Sequence, residues 1–231
     1  MARDTAPADD DVARARAIAR RLARAYGSGH AARPTPEQRD PLDELILTLL
    51  SQHTSDINRD RAFEALRARY PTWDEVLGAR VTSVRAAINP GGLAATKAPR
   101  IQAILREVLD REGRLSLARL HDMRDDDVVA YLTSLPGIGV KTAACVLAFS
   151  LGRPVLPVDT HVQRIAVRLG FARPNDRVER VQHIWESMIP PAKRTNLHLD
   201  LIAHGRSVCR AQRPACGSCV VAGLCPSVGT P

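Results

Sequence analysis

Lysine is nearly missing from this 231-residue chain: Lys97, Lys141 and Lys193 stand against thirty arginines among 33 basic side chains. A guanidinium does not lose its proton in a protein, so any amine that must attack carbon has only these positions to occupy. The three lysines are either remnants of a compositional bias toward arginine or places where arginine fails. No run of 18 or more apolar residues occurs, so the sequence contains no candidate helical membrane span. Met1–Asp11 lacks the apolar stretch of a secretory leader. Val12–Tyr26 is basic and amphipathic, but the preceding Asp4, Asp9, Asp10 and Asp11 argue against a transit peptide. There is no convincing alternating strand pattern and no long internal repeat. These absences leave a soluble, cytoplasmic, all-α protein as the expectation.

The length supports one large domain or two small ones, and the 45% hydrophobic content is ordinary for a globular core. A net charge of +8 points to an anionic partner, nucleic acid before membrane, although the arginine bias itself contributes to that charge. Ala15, Ile18, Leu22 and Tyr26 recur at helical spacing, with Gly27 as a stop, and a polar linker follows over Ser28–Arg39. Asp40-Pro41 reads as an N-cap with proline at the first helical position, ahead of a stripe of Leu42, Leu45, Ile46, Leu49 and Leu50. Thr72 and Glu75 form a capping-box pattern, and Asn89–Gly92 an irregular turn. Ile101, Ile104, Leu105, Val108 and Leu109 mark a further helix closing near Gly113. Others are expected over 125–135, 141–150, 161–169, 178–188 and 196–209.

Between two of these helices lies Leu135-Pro136-Gly137-Ile138-Gly139-Val140-Lys141. Glycine at Gly137 and Gly139 permits positive φ and close backbone approach. The first N–H groups of the second helix, from Val140 onward, then face outward, where a DNA phosphate fits; a plain helix–helix turn is the other reading. A nucleotide-triphosphatase phosphate loop is excluded, since Val140 precedes Lys141 and no strand leads in. Lys141 sits at the positive end of a helix dipole, which disfavours its protonation. An unshifted amine with a pKa of about 10.4 would be well under ~1% neutral at pH 7, so a nucleophilic role requires that lowering. Otherwise Lys141 is an ordinary phosphate contact.

Val158-Asp159-Thr160-His161 opens the next helix. Asp159 reads as its N-cap, and a capping carboxylate keeps a second oxygen for chemistry. Cys209, Cys216, Cys219 and Cys225 form C-x6-C-x2-C-x5-C, whereas Cys145 falls on an apolar helix face as a small core residue. In a cytosolic chain, four such thiols suit an all-cysteine metal site, zinc or [4Fe–4S], better than disulfides. Arg210 and Arg213 lie in the loop after the first of them, either as phosphate contacts or as a solvated basic loop.

The order of hairpin lysine, Val-Asp-Thr-His and cysteine quartet, with His204-Gly205-Arg206 and Pro214-x-Cys216-Gly217-x-Cys219, resembles the endonuclease III family over about Pro41 to Cys225. That family comprises helix–hairpin–helix DNA glycosylases with AP lyase activity. The resemblance implies a two-lobed all-α fold with the DNA cleft between the lobes. One lobe is a six-helix domain at 34–153; the other is built from 1–33 and 154–231 and carries a [4Fe–4S] loop at 209–225. It implies Lys141 as nucleophile, Asp159 as essential carboxylate, and the four cysteines as cluster ligands.

It further implies DNA contacts at Gly137, Gly139, Val140 and His161, with Arg210 and Arg213 beside them. Ser51-Gln52-His53-Thr54 departs from the usual Ser-Ala-Gln-x-Thr-Asp, so either Gln52 or His53 fills the vacated base stack. Leu93, after Gly91-Gly92, resembles the family's second wedge, or is a core leucine. Sister adenine-mismatch glycosylases lack the lysine and carry a further C-terminal domain; Lys141 and the short tail after Cys225 point away from them.

The implied activity is base excision repair: removal of oxidised pyrimidines from duplex DNA, then β-elimination at the abasic site through a lysine Schiff base. A monomer acting on nucleoid DNA, without membrane contact, is expected. A DNA-binding module without catalysis, or a metal or redox sensor, would make Lys141 or Asp159 idle.

Overall fold

The computed structural model describes residues 7–27 and 39–229. All but Arg39 of the expected Ser28–Arg39 linker lies outside the described residues. The described residues are helical, with no strand among them: α1 Asp9–Tyr26, α2 Pro41–Leu50, α3 Asp56–Arg69, α4 Trp73–Gly78, α5 Val81–Ala87, α6 Ala94–Glu112, α7 Asp125–Thr133, α8 Val140–Phe149, α9 Thr160–Arg168, α10 Val178–Met188 and α11 Arg194–Ser207. They divide into two compact units, one within Met1–Pro34 and Pro154–Pro231, the other within Thr35–Arg153.

The continuous unit holds α2 to α8. Asp40 caps α2 by accepting from the backbone of Leu42 and Asp43, with Pro41 at the first turn. The predicted stripe is fully buried, and Leu47 is nearly so, because α8 packs along α2 and is itself buried from Thr142 to Ala148. Side chains of this size contribute about 1.5–3 kcal/mol each when fully buried, so this helix pair anchors the unit. Cys145, on α8, is buried as a core residue. Thr72 and Glu75 make the reciprocal capping box of α4. α6 ends at Gly113, whose φ of +69° is the left-handed closure that glycine permits.

In the discontinuous unit, α1 lays Ala15, Ile18 and Leu22 into a core shared with Trp185, Leu197 and Leu201. Its arginines are partly spoken for. Arg14 donates to the carbonyls of Leu169 and Leu224 and stacks 4.1 Å over the Phe171 ring, while Arg16 donates to the Met188 carbonyl. The basic N-terminal helix is therefore built into this core rather than standing apart from it.

Candidate functional site

The hairpin sits between α7 and α8. Leu135 and Ile138 are buried on either side of the turn, and Ile138 N–H donates to the Leu135 carbonyl at 3.2 Å, so apolar anchors hold the glycine backbone at the surface. Gly137 has φ +72°, and a Cβ there would also strike the side chain of Arg100 on α6. Gly139 differs from expectation: its φ of −103° and ψ of 173° are extended, as an N-cap requires, and open to any residue. Among the described residues, no atom beyond its chain neighbours lies within 4 Å of where its Cβ would be, so glycine here leaves the approach to α8 open.

No side chain caps α8. Thr142 and Ala143 N–H both donate to the Gly139 carbonyl, and the dipole at this end of the helix favours an anion. Lys141 is the second residue of this helix and is half-buried. Arg100, for which the sequence carries no signal, adds a second cation against the turn.

Within the same unit, the structure brings the stack and wedge candidates together. Gln52 and His53 lie just after α2, where Gln52 is half-buried and His53 exposed. A Cβ on Gly92 would come within 4.0 Å of the His53 carbonyl. Leu93 is 55% exposed, which rules out the core reading. His53 and Leu93 both adopt left-handed backbone, at φ +54° and +49°. That conformation costs a non-glycine residue about 1–2 kcal/mol, and such strain collects at functional loops.

Asp159 is the N-cap of α9, its Oδ1 accepting from Val162 N–H at 2.8 Å. His161 is half-buried against Gly205, where a Cβ would lie 2.8 Å from the histidine's own, so the glycine of His-Gly-Arg is a packing requirement. Its Nδ1 is 3.1 Å from Arg164 Nη2. Packing on Gly205 and the contact with Arg164 fix the position of the His161 ring.

Two residues on α9 escaped the sequence reading although their four-residue spacing puts them on one helix face. Arg164 donates to the carbonyls of Gly205 and Cys209. Arg168 donates to the Cys209 thiol at 3.3 Å and to the carbonyls of Arg210 and Ala211. Together they clamp the start of the cysteine loop. Burial draws the Arg164 guanidinium below its ordinary pKa, against the charge of Cys209. Arg210 and Arg213 are exposed on this loop, with Arg213 at φ +51°.

All four cysteines of the quartet are free thiols lining one pocket. Burial raises the Cys219 thiol, and the neighbouring Cys209, Cys225 and Cys216 sulfurs act in the same direction. Tyr26 Oη is 2.9 Å from His204 Nδ1, and His204 Nε2 is 3.6 Å from Cys219 Sγ. An all-thiol donor set with no disulfide, neighbouring guanidinium and imidazole donors, and apolar backing fits a bound iron–sulfur group.

Residues 46–191 match the HhH-GPD superfamily of base excision DNA repair proteins, and residues 209–225 match the iron–sulfur binding domain of endonuclease III. Endonuclease III of Escherichia coli K12 is 34% identical over 185 residues, 80% of this chain and 83% of its own. An Arabidopsis thaliana protein described as a candidate DNA glycosylase is 40% identical over 171 residues, 74% of this chain; the chain spans 58% of that relative's length. Among solved structures, a trapped endonuclease III–DNA covalent intermediate superposes with a TM-score of 0.79 at 30% identity, covering 93% of this chain and 95% of that one.

Proposed function

We propose a catalytic assignment on the premise that this chain belongs to the HhH-GPD superfamily of base excision DNA repair proteins and, within it, to the endonuclease III family. The chain is accordingly a DNA glycosylase and AP lyase that binds DNA and carries an iron–sulfur cluster. Among the described residues, no helix is long and apolar enough to cross a membrane.

In the proposed reaction, the hairpin N–H groups at Val140 and Lys141 hold a phosphate without reading sequence. The damaged nucleotide is extruded from the stack. The neutral Lys141 amine bonds to the sugar C1′ as the glycosidic C–N bond breaks, and the base departs with that electron pair and gains a proton. Asp159 stabilises the positive charge on the sugar and relays protons. Ring opening leaves an imine between Lys141 and the deoxyribose. Loss of a C2′ proton then expels the 3′ phosphate, cutting the strand.

Oxidised pyrimidines are the substrate class, and the enzyme works as a monomer on nucleoid DNA. The observation that carries the reading is a half-buried lysine one residue into an uncapped helix, immediately behind a left-handed glycine turn. Anion site and amine are then neighbours on the chain. Purified protein should cleave a duplex containing thymine glycol and one containing an abasic site, and leave an A:G mismatch intact. Cleavage of the mismatch alone would overturn the reading.

Cys209, Cys216, Cys219 and Cys225 are the proposed cluster ligands, supported by the shared pocket and by the clamp from Arg164 and Arg168. When bound, the cluster ties the loop bearing Arg210 and Arg213 into a fixed shape and supplies no group to the reaction. Native protein should be brown, with broad visible absorption. Colourless protein holding one equivalent of zinc would contradict the ligand assignment.

A further inference from the structure

Lys97 is 2% exposed, in the first turn of α6, and the proposed chemistry makes no use of it. Its Nζ donates to the carbonyl of Leu50 at 2.7 Å and to that of Gly91 at 2.9 Å. A buried ammonium without a carboxylate needs such partners, and carbonyls closing a helix carry partial negative charge suited to it. Leu50 is the last residue of α2, directly before the segment with Gln52 and His53. Gly91 ends the short 3-10 turn directly before Gly92 and Leu93. The Lys97 backbone N–H also donates to the Leu93 carbonyl at 2.9 Å. Gly92 and Leu93, both at positive φ, are thus held from both sides by one residue. The turn is also docked on α3, since a Cβ on Gly91 would lie 2.9 Å from Ala62 Cβ.

We propose that Lys97 is a positioning residue that locks the His53 segment to the Leu93 segment, so that both probing side chains enter the DNA stack as one rigid element. The inference rests on the repair reading for what those side chains touch. It also accounts for a lysine that arginine has not replaced: a compact tetrahedral donor fits between two carbonyls in a closed space where a planar fork does not. Loss of the lock acts on base extrusion, a step that an abasic site needs far less than a stacked damaged base.

The test uses the full-length, cluster-loaded protein with Lys97→Met, which keeps an unbranched apolar stem out to Cε and removes the donor, and Lys97→Gln, which keeps an N–H donor. Three readouts are taken: single-turnover base release from a thymine glycol duplex, strand cleavage of a preformed abasic site, and 2-aminopurine fluorescence beside the lesion on mixing. In Lys97→Met the ratio of base release to abasic cleavage should fall at least about ten-fold and the fluorescence rise should be lost, with partial recovery in Lys97→Gln. The fluorescence signal requires no turnover, so it judges the lock even if the wild type fails to release the base, an outcome that would sink the repair reading instead. Both activities falling in equal proportion, or neither activity and no fluorescence change, overturns the proposal. Should Lys97→Met not fold, Lys97→Gln decides: its ratio and its fluorescence rise should both fall below wild type by a smaller factor, and values equal to wild type overturn the proposal.

Discussion

Lys141→Gln is expected to abolish the covalent DNA adduct that borohydride traps and to lower strand cleavage by on the order of 10³-fold or more, the scale seen when a nucleophile is removed. Glutamine is one atom shorter than lysine, stays polar and remains compatible with helix, so the fold should be retained. DNA binding should weaken only by the loss of one cationic contact, because the anion site is made largely by backbone N–H groups ahead of α8, where no side-chain cap competes. Lys141→Arg is the informative companion. It retains charge for a phosphate and cannot attack carbon, so it should bind DNA like the wild type and trap nothing. Binding with undiminished adduct in either variant would return Lys141 to the status of a phosphate contact.

Asp159→Asn should reduce turnover by about 10²- to 10⁴-fold, the range for removing a group that moves protons in the transition state. The geometry makes this a clean substitution. Asp159 caps α9 through Oδ1 to Val162 N–H, and asparagine caps a helix as well as aspartate does. Melting temperature and DNA affinity should therefore stay near wild type while kcat collapses. Asp159→Ala should lose the same activity and, in addition, about 1 kcal/mol of stability with the cap. If Asp159→Asn turns over at a normal rate, the carboxylate is a cap and nothing more.

Local signals carried the all-helical fold far. Asp40 with Pro41, Thr72 with Glu75 and Gly113 each act through neighbours no more than four residues away, so their roles are written in short windows of sequence. α3 and α5 were harder to see. α3 buries only Ala62 and Leu66 among fourteen residues, too few apolar positions to mark a helical stripe. α5 is seven residues long with no side-chain cap.

At the site, the residue types of the hairpin were readable, but their conformations were not. The two glycines look alike in sequence, yet only Gly137 takes positive φ, because Gly139 must enter the extended cap of α8. Arg100, Arg164 and Arg168 escaped notice because, in a chain with thirty arginines, nothing local separates a structural guanidinium from a solvated one. Apart from His161 beside Arg164, their neighbours lie 37 to 45 residues away in the chain. Lys97 qualifies the argument from lysine scarcity: arginine can fail for want of space as well as for want of a neutral amine. Scarcity alone therefore does not single out Lys141.

With only three lysines in the chain, the identity of the nucleophile can be read directly. Wild-type protein is incubated with a thymine glycol duplex, reduced with borohydride and digested, and the peptide bearing the deoxyribose remnant is sequenced by mass spectrometry. The adduct is expected on Lys141 alone. An adduct on Lys97, on Lys193 or on the N-terminal amine, with Lys141 unmodified, would contradict it.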